Sequence, residues 1–202
     1  MTLTKYLNWT IKLACVLPFL YWVGGTFQGW LGVEPLVKIN TQSGYVVLIL
    51  LGVNLLIGAV HGLGWLDMKW YRFLYMSRRY LGIACGIYVI MHFTTYLAKE
   101  SFLPKGWEQI ITKNYLTFGA LAATIVVILM LTSNNISTRL LKKNWKRLHR
   151  LVYLAGIFVM FHVFQIEKAN LLLLQIIVLP VFIIELIRAA KFLIGLLKKK
   201  SV

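Results

Sequence analysis

Residues 80–98 read YLGIACGIYVIMHFTTYLA, nineteen consecutive residues without a charge, entered through Arg78 and Arg79 and left through Lys99 and Glu100. A run of this length matches the ~20 residues an α-helix needs to cross the hydrocarbon core of a bilayer. No water reaches the backbone there, so the run must close its own hydrogen bonds as a helix. Five further blocks have the same character, at residues 11–30, 44–63, 115–131, 148–166 and 171–193. The expected fold is therefore all-α: a polytopic membrane six-helix bundle forming a single transmembrane domain over residues 1–202. The connections at 32–35, 67–72, 99–113, 133–147 and 167–170 are short and polar, and none is long enough to hold a second domain.

Composition supports this. The chain is 59% hydrophobic and 14% charged, against about 45–50% and about 25% for a soluble domain. A net charge of +16 on a soluble protein would suggest nucleic acid as a partner, but here the Lys and Arg sit between the apolar blocks. That is the signature of membrane topology, and no nucleic-acid readout element accompanies it. Six spans place both termini on one side, with Arg78, Arg79, Arg139, Lys142, Lys143, Lys146, Arg147, Arg150 and most other cations. The opposite side receives only Lys38, Lys99, Lys105, Lys113 and Lys168. The bias predicts cytoplasmic termini. Trp22, Trp30, Trp65, Trp70, Trp107 and Trp145 fall near block ends, as interfacial aromatics do. The first block continues past Pro18 without a small-residue cleavage site and reads as a retained span.

Little other chemistry is on offer. Cys15 and Cys85 both lie in apolar blocks and read as small packing residues. No C-x-x-C-H motif for covalent haem is present, nor a G-x-G-x-x-G or Walker loop. Glu185 is the one clear acid within a span, so no carboxylate relay exists. Gly24–Gly25 and Gly82–Gly86 read as close-packing positions between helices.

The histidines carry the functional signal. All four, His61, His92, His149 and His162, lie in spans or at their ends, where ionisable side chains are rare. Any one alone could be structural, bonding across helices. Depth separates the readings. His92 lies thirteen residues beyond Arg79, about 20 Å along a helix, and His162 fourteen beyond Leu148, about 21 Å. Both helices run outward, so the two imidazoles come to one level in the outer half of the bilayer. They would serve there as axial ligands of haem iron or share a hydrogen-bonding role; matched depth favours ligation. His149, thirteen residues before His162, would suit a second redox level near the cytoplasmic face, although the spacing turns the two rings in different directions. The residues level with it on the third span, Arg78 and Arg79, do not bind iron; His61 has about the right depth, and a hydrogen-bonding role suits it slightly better. Arg78, Arg79, Arg147 and Arg150 gather at this level. Topology accounts for most of them, and one or two could also pair with a haem propionate or a flavin phosphate.

Read in order, Arg78-Arg79-Tyr80-Leu81-Gly82, His92 with Tyr96, Tyr115-Leu116-Thr117-Phe118-Gly119, Leu131-Thr132-Ser133, the run from Trp145 through His149 to Tyr153, and His162 form a familiar series, with Leu31-Gly32-Val33-Glu34-Pro35 in the first outer loop. Over nearly its whole length the chain resembles the MsrQ (YedZ) family, a branch of the ferric-reductase-like transmembrane group. It departs at Asn114, where the family usually has proline, at residues 57–61, where the family commonly has Thr-Pro, and in carrying His61. The resemblance implies that His92, His149 and His162 are haem-associated. It implies one or two b haems, and FMN as a further cofactor, in a multi-pass protein of the bacterial inner membrane. It also implies a role: electrons pass from the quinone pool or a cytosolic flavin reductase to MsrP, a periplasmic molybdopterin enzyme that reduces methionine sulfoxide in oxidised proteins. The subunit itself would do no chemistry on the sulfoxide. Two alternatives stand beside this expectation: a ferric-reductase or oxidase-type haem protein working with a separate flavin partner, and a non-redox membrane scaffold or transporter.

Overall fold

The computed structural model describes residues 2–64, 68–100, 102–166 and 171–200. Nine helices run through them: α1 (Thr2–Gln28), α2 (Pro35–Leu63), α3 (Met68–Lys99), α4 (Pro104–Thr112), α5 (Asn114–Leu131), α6 (Asn135–Leu141), α7 (Lys143–His149), α8 (Leu151–Phe164) and α9 (Leu171–Lys200). Five stretches among the described residues are long and apolar enough to cross a membrane: Trp9–Gln28, Pro35–Leu63, Phe73–Lys99, Asn114–Leu131 and Lys143–Phe164. The expected sixth, at 171–193, lies within the 30-residue α9.

The helices outrun the apolar blocks. Pro35 was expected in a connection but starts α2, where its missing N–H costs nothing. That helix stops at Gly64, whose φ of 71° is left-handed and whose N–H returns to the carbonyls of His61 and Val60. The connection expected at 67–72 is helical from Met68 onward. The one expected at 99–113 contains α4, and the one at 133–147 contains α6 and most of α7, with the Asn134 side chain capping Ser137 N–H. A helix can continue past hydrocarbon into polar sequence because its hydrogen bonds are internal. The connection expected at 167–170, with Lys168, lies outside the described residues, as do Trp65 and Asp67.

At the centre, Leu51 and Leu55 of α2 meet Cys85 and Val89 of α3, Val126 of α5 and Ala155 of α8. In lipid such packing is held by dispersion and close approach, since burial from hydrocarbon gains no hydrophobic energy. Gly86 shows how tight it is: a Cβ there would stand 2.6 Å from Met130. Both cysteines are free thiols, as their positions predict. Trp22 departs from expectation. It is 2% exposed, not interfacial, because its ring packs edge-on against Tyr88 and its N–H donates to Gln42 Oε1 at 2.6 Å. That bond removes the cost of burying an indole donor.

Candidate functional site

The helices α2, α3, α5 and α8 bring His92 and His162 side by side, with ring centroids 6.4 Å apart and planes at 80°. Each ring is held from a neighbouring helix. His92 Nδ1 lies 2.8 Å from the carbonyl of Asn40 on α2, and His162 Nδ1 lies 2.7 Å from the carbonyl of Tyr115 on α5. A carbonyl only accepts, so each Nδ1 carries the proton and each Nε2 keeps a lone pair. This is the tautomer of an imidazole that binds metal through Nε2, and a backbone carbonyl on the other nitrogen is the usual support for one.

The two carbonyls are reachable for the same reason. In a helix the carbonyl of residue i points toward residue i+4, whose Cβ would crowd it. Here residue i+4 is glycine both times, Gly44 after Asn40 and Gly119 after Tyr115. A Cβ at Gly44 would stand 3.0 Å from His92 Cε1, and one at Gly119 would stand 2.8 Å from His162 Nδ1. Sequence reasoning missed this device. Its only trace in the sequence is a glycine four positions after an otherwise unremarkable residue.

Further contacts fix the rings. Asn40 Nδ2 donates to the His92 carbonyl at 2.7 Å and to Thr95 Oγ1 at 3.2 Å. Ser43, fully buried, bonds the Asn40 carbonyl and lies 3.4 Å from His92 Nδ1. The Tyr115 ring stacks on His162 at 6.1 Å. One turn beyond His92, the Tyr96 hydroxyl is buried without a hydrogen-bond partner among the described residues.

The spacing suits a metal held between two rings. Metal–nitrogen bonds of about 2.0 Å, added to the ~1.1 Å from each nitrogen to its ring centre, separate two centroids by about 6 Å. Among the described residues no three His, Cys, Asp or Glu gather to form a metal site of their own. The pair offers two imidazoles.

The other candidate residues lie elsewhere. His149 Nε2 is 3.2 Å from Thr132 Oγ1, and its ring stacks on Trp145 at 4.0 Å, whose N–H donates to the Thr132 carbonyl. His61 is exposed and lies 4.9 Å from the Tyr75 ring. Arg78 Nε donates to Asn54 Oδ1 and Asn54 Nδ2 donates back to the Arg78 carbonyl, both at 3.0 Å, with the guanidinium packed on Gly58. Arg79 Nε donates to the Ser133 carbonyl at 2.8 Å and its Nη1 to Asn135 Oδ1 at 2.9 Å. It ties α3 to the α5–α6 turn. Arg150 joins Lys142, Lys143, Lys146 and Arg147 around a hollow of about 590 Å³ with no carboxylate among the described residues that line it.

Comparison with known proteins places the chain. The family described as ferric reductase like transmembrane component matches residues 43–160, a stretch that contains Gly44, His92, Tyr115, Gly119 and His149. A Yersinia enterocolitica protein, the protein-methionine-sulfoxide reductase heme-binding subunit MsrQ, is 30% identical over 161 residues, 78% of each chain. The protein of the same name from Deinococcus radiodurans is 32% identical over 148 residues, 72% of this chain and 71% of its own. No solved structure matches.

Proposed function

The chain belongs to the ferric reductase like transmembrane family, in its MsrQ branch, and from that membership we propose that it is a haem b subunit carrying electrons across a bacterial inner membrane to a periplasmic methionine sulfoxide reductase. The observation that carries the reading is the pair His92–His162, each ring held at Nδ1 by a carbonyl and left with a free Nε2. Haem b, when bound, would supply a one-electron couple whose potential follows its protein ligands and its burial. His92 and His162 would be those ligands. The Asn40 and Tyr115 carbonyls make the rings more basic and lock their orientation. The Tyr96 hydroxyl, buried and without a partner among the described residues, would donate to a carboxylate of the group. Residues from α2, α3, α5 and α8 keep water away.

In this reading α9 is the sixth span, and both termini face the cytoplasm with most of the cations. The basic hollow around Arg150 then lies on the donor side, where it suits the phosphate of a flavin, FMN or that of a reductase. Arg79 is structural. Arg79→Ala should cost about 1 kcal/mol through its lost bonds to Ser133 and Asn135, seen as a lowered melting temperature with an unchanged haem spectrum.

The exit side is the surface of α4. Trp107 packs against Phe93, the neighbour of His92, at 6.0 Å, and Gly106 is buried on α3. Meanwhile Phe102, Leu103, Trp107 and Ile111 remain at least half exposed. Such apolar residues beside the histidine pair suit a soluble partner. Exchanging residues 99–114 for an unrelated outer loop should cut electron delivery to the reductase in proteoliposomes by tenfold or more and leave the haem spectrum intact. Unchanged delivery would remove this surface from the account.

A further inference from the structure

A cleft of about 830 Å³ runs between α2, α8 and α9, and neither His92 nor His162 lines it. Its walls are apolar, with Leu48, Leu51 and Leu55 facing Met160, Ile177 and Val181. Ile157 and Phe182 at its edge are 46% and 44% exposed, so the cleft opens sideways, toward lipid.

One end differs. Arg150, Arg188 and Lys191 line it there. Lys191 Nζ reaches the Leu63 carbonyl at 3.3 Å, and Arg188 packs on Gly62, so these cations sit at the last turn of α2. Glu185 pairs with Arg188 at 3.2 Å, and the Tyr153 hydroxyl accepts from Arg188 at 2.7 Å. The acid offsets one of the three cations and leaves a net positive mouth. From Gly62 back to Leu48 the wall on α2 covers about 21 Å, against about 20–22 Å for half a bilayer with its headgroup region. The cleft is thus one leaflet deep, basic at the surface and apolar to the midplane.

We propose that this cleft binds an anionic glycerophospholipid of that leaflet, its phosphate at Arg150, Arg188 and Lys191 and an acyl chain along the leucine-lined wall. A basic pocket between membrane helices attracts such a headgroup, and lateral opening admits it from the bilayer. A free phosphate would use only the mouth. A neutral lipid would use only the walls. The site does not involve the histidine pair, shares Arg150 with the basic hollow, and is tested without reference to redox activity.

The test is native mass spectrometry of the detergent-purified full chain with added dioleoyl phosphatidylglycerol or dioleoyl phosphatidylcholine. The anionic lipid should be retained in preference. The double variant Arg150→Ala/Lys191→Ala, altered at two exposed side chains, should bind it roughly 30-fold more weakly, while Arg150→Lys/Lys191→Arg keeps the preference. Glycerol phosphate alone should not displace the lipid. Equal retention of the two lipids, full retention in the alanine variant, or displacement by glycerol phosphate would each overturn the proposal.

Discussion

Purified with an adequate haem supply, His92→Ala and His162→Ala should each retain at least tenfold less haem than the wild type and deliver no electrons to the reductase. The size follows from what each ring does. Altering a group that merely supports a metal ligand costs 10–100-fold in metal affinity, so losing the ligand itself should cost no less. Each substitution also leaves a hole where an imidazole was packed and removes the Nδ1 bond to the carbonyl of Asn40 or Tyr115. The helices should still assemble, because the packing of Leu51, Leu55, Cys85, Val89, Val126 and Ala155 does not involve either ring. Circular dichroism of the variants separates loss of haem from loss of fold. His149→Ala provides a contrast: its ring is held by Thr132 and Trp145, away from the pair, so haem at His92 and His162 should persist.

The second large effect should come from one methyl group. Gly119→Ala would place a Cβ 2.8 Å from His162 Nδ1 and 2.9 Å from its Cε1. The imidazole cannot stay there and keep its 2.7 Å bond to the Tyr115 carbonyl. Either the ring swings away or α5 and α8 separate, and forcing an extra methyl into a close-packed site costs about 1–3 kcal/mol. With the orienting bond broken, haem affinity should fall about 10–100-fold although both histidines remain. The reduced spectrum should show the axial ligation disturbed. Gly24→Ala is the control. A Cβ at Gly24 meets nothing within 4 Å, so that variant should match or slightly exceed the wild type in stability and keep its haem. If Gly119→Ala binds haem as the wild type does, the carbonyl is not what orients His162.

Much of this was legible in the sequence, and what was not has physical causes. Apolar run length locates the spans because hydrocarbon thickness sets it. It cannot locate helix ends, since a backbone that bonds to itself continues into polar sequence, as α3 does from Met68 and α2 does from Pro35. The juxtaposition of His92 and His162 followed from counting residues outward on two parallel helices. Their supports did not: Asn40 and Tyr115 contribute carbonyls, which every residue has, and only Gly44 and Gly119 betray the access. Trp22 was misjudged because position near a block end says nothing of which way an indole points, and Gln42 draws it inward. Arg79 reads as an ordinary topological charge, yet it bridges to Ser133 and Asn135, fifty-odd residues away in the chain, a relation that no local pattern encodes.

The most direct measurement is the dithionite-reduced minus oxidised visible spectrum of the detergent-purified protein, wild type beside His92→Ala and His162→Ala. The account predicts a b-type haem signal in the wild type that is lost or strongly altered in both variants. A wild type without haem, or a signal that neither substitution changes, would contradict it.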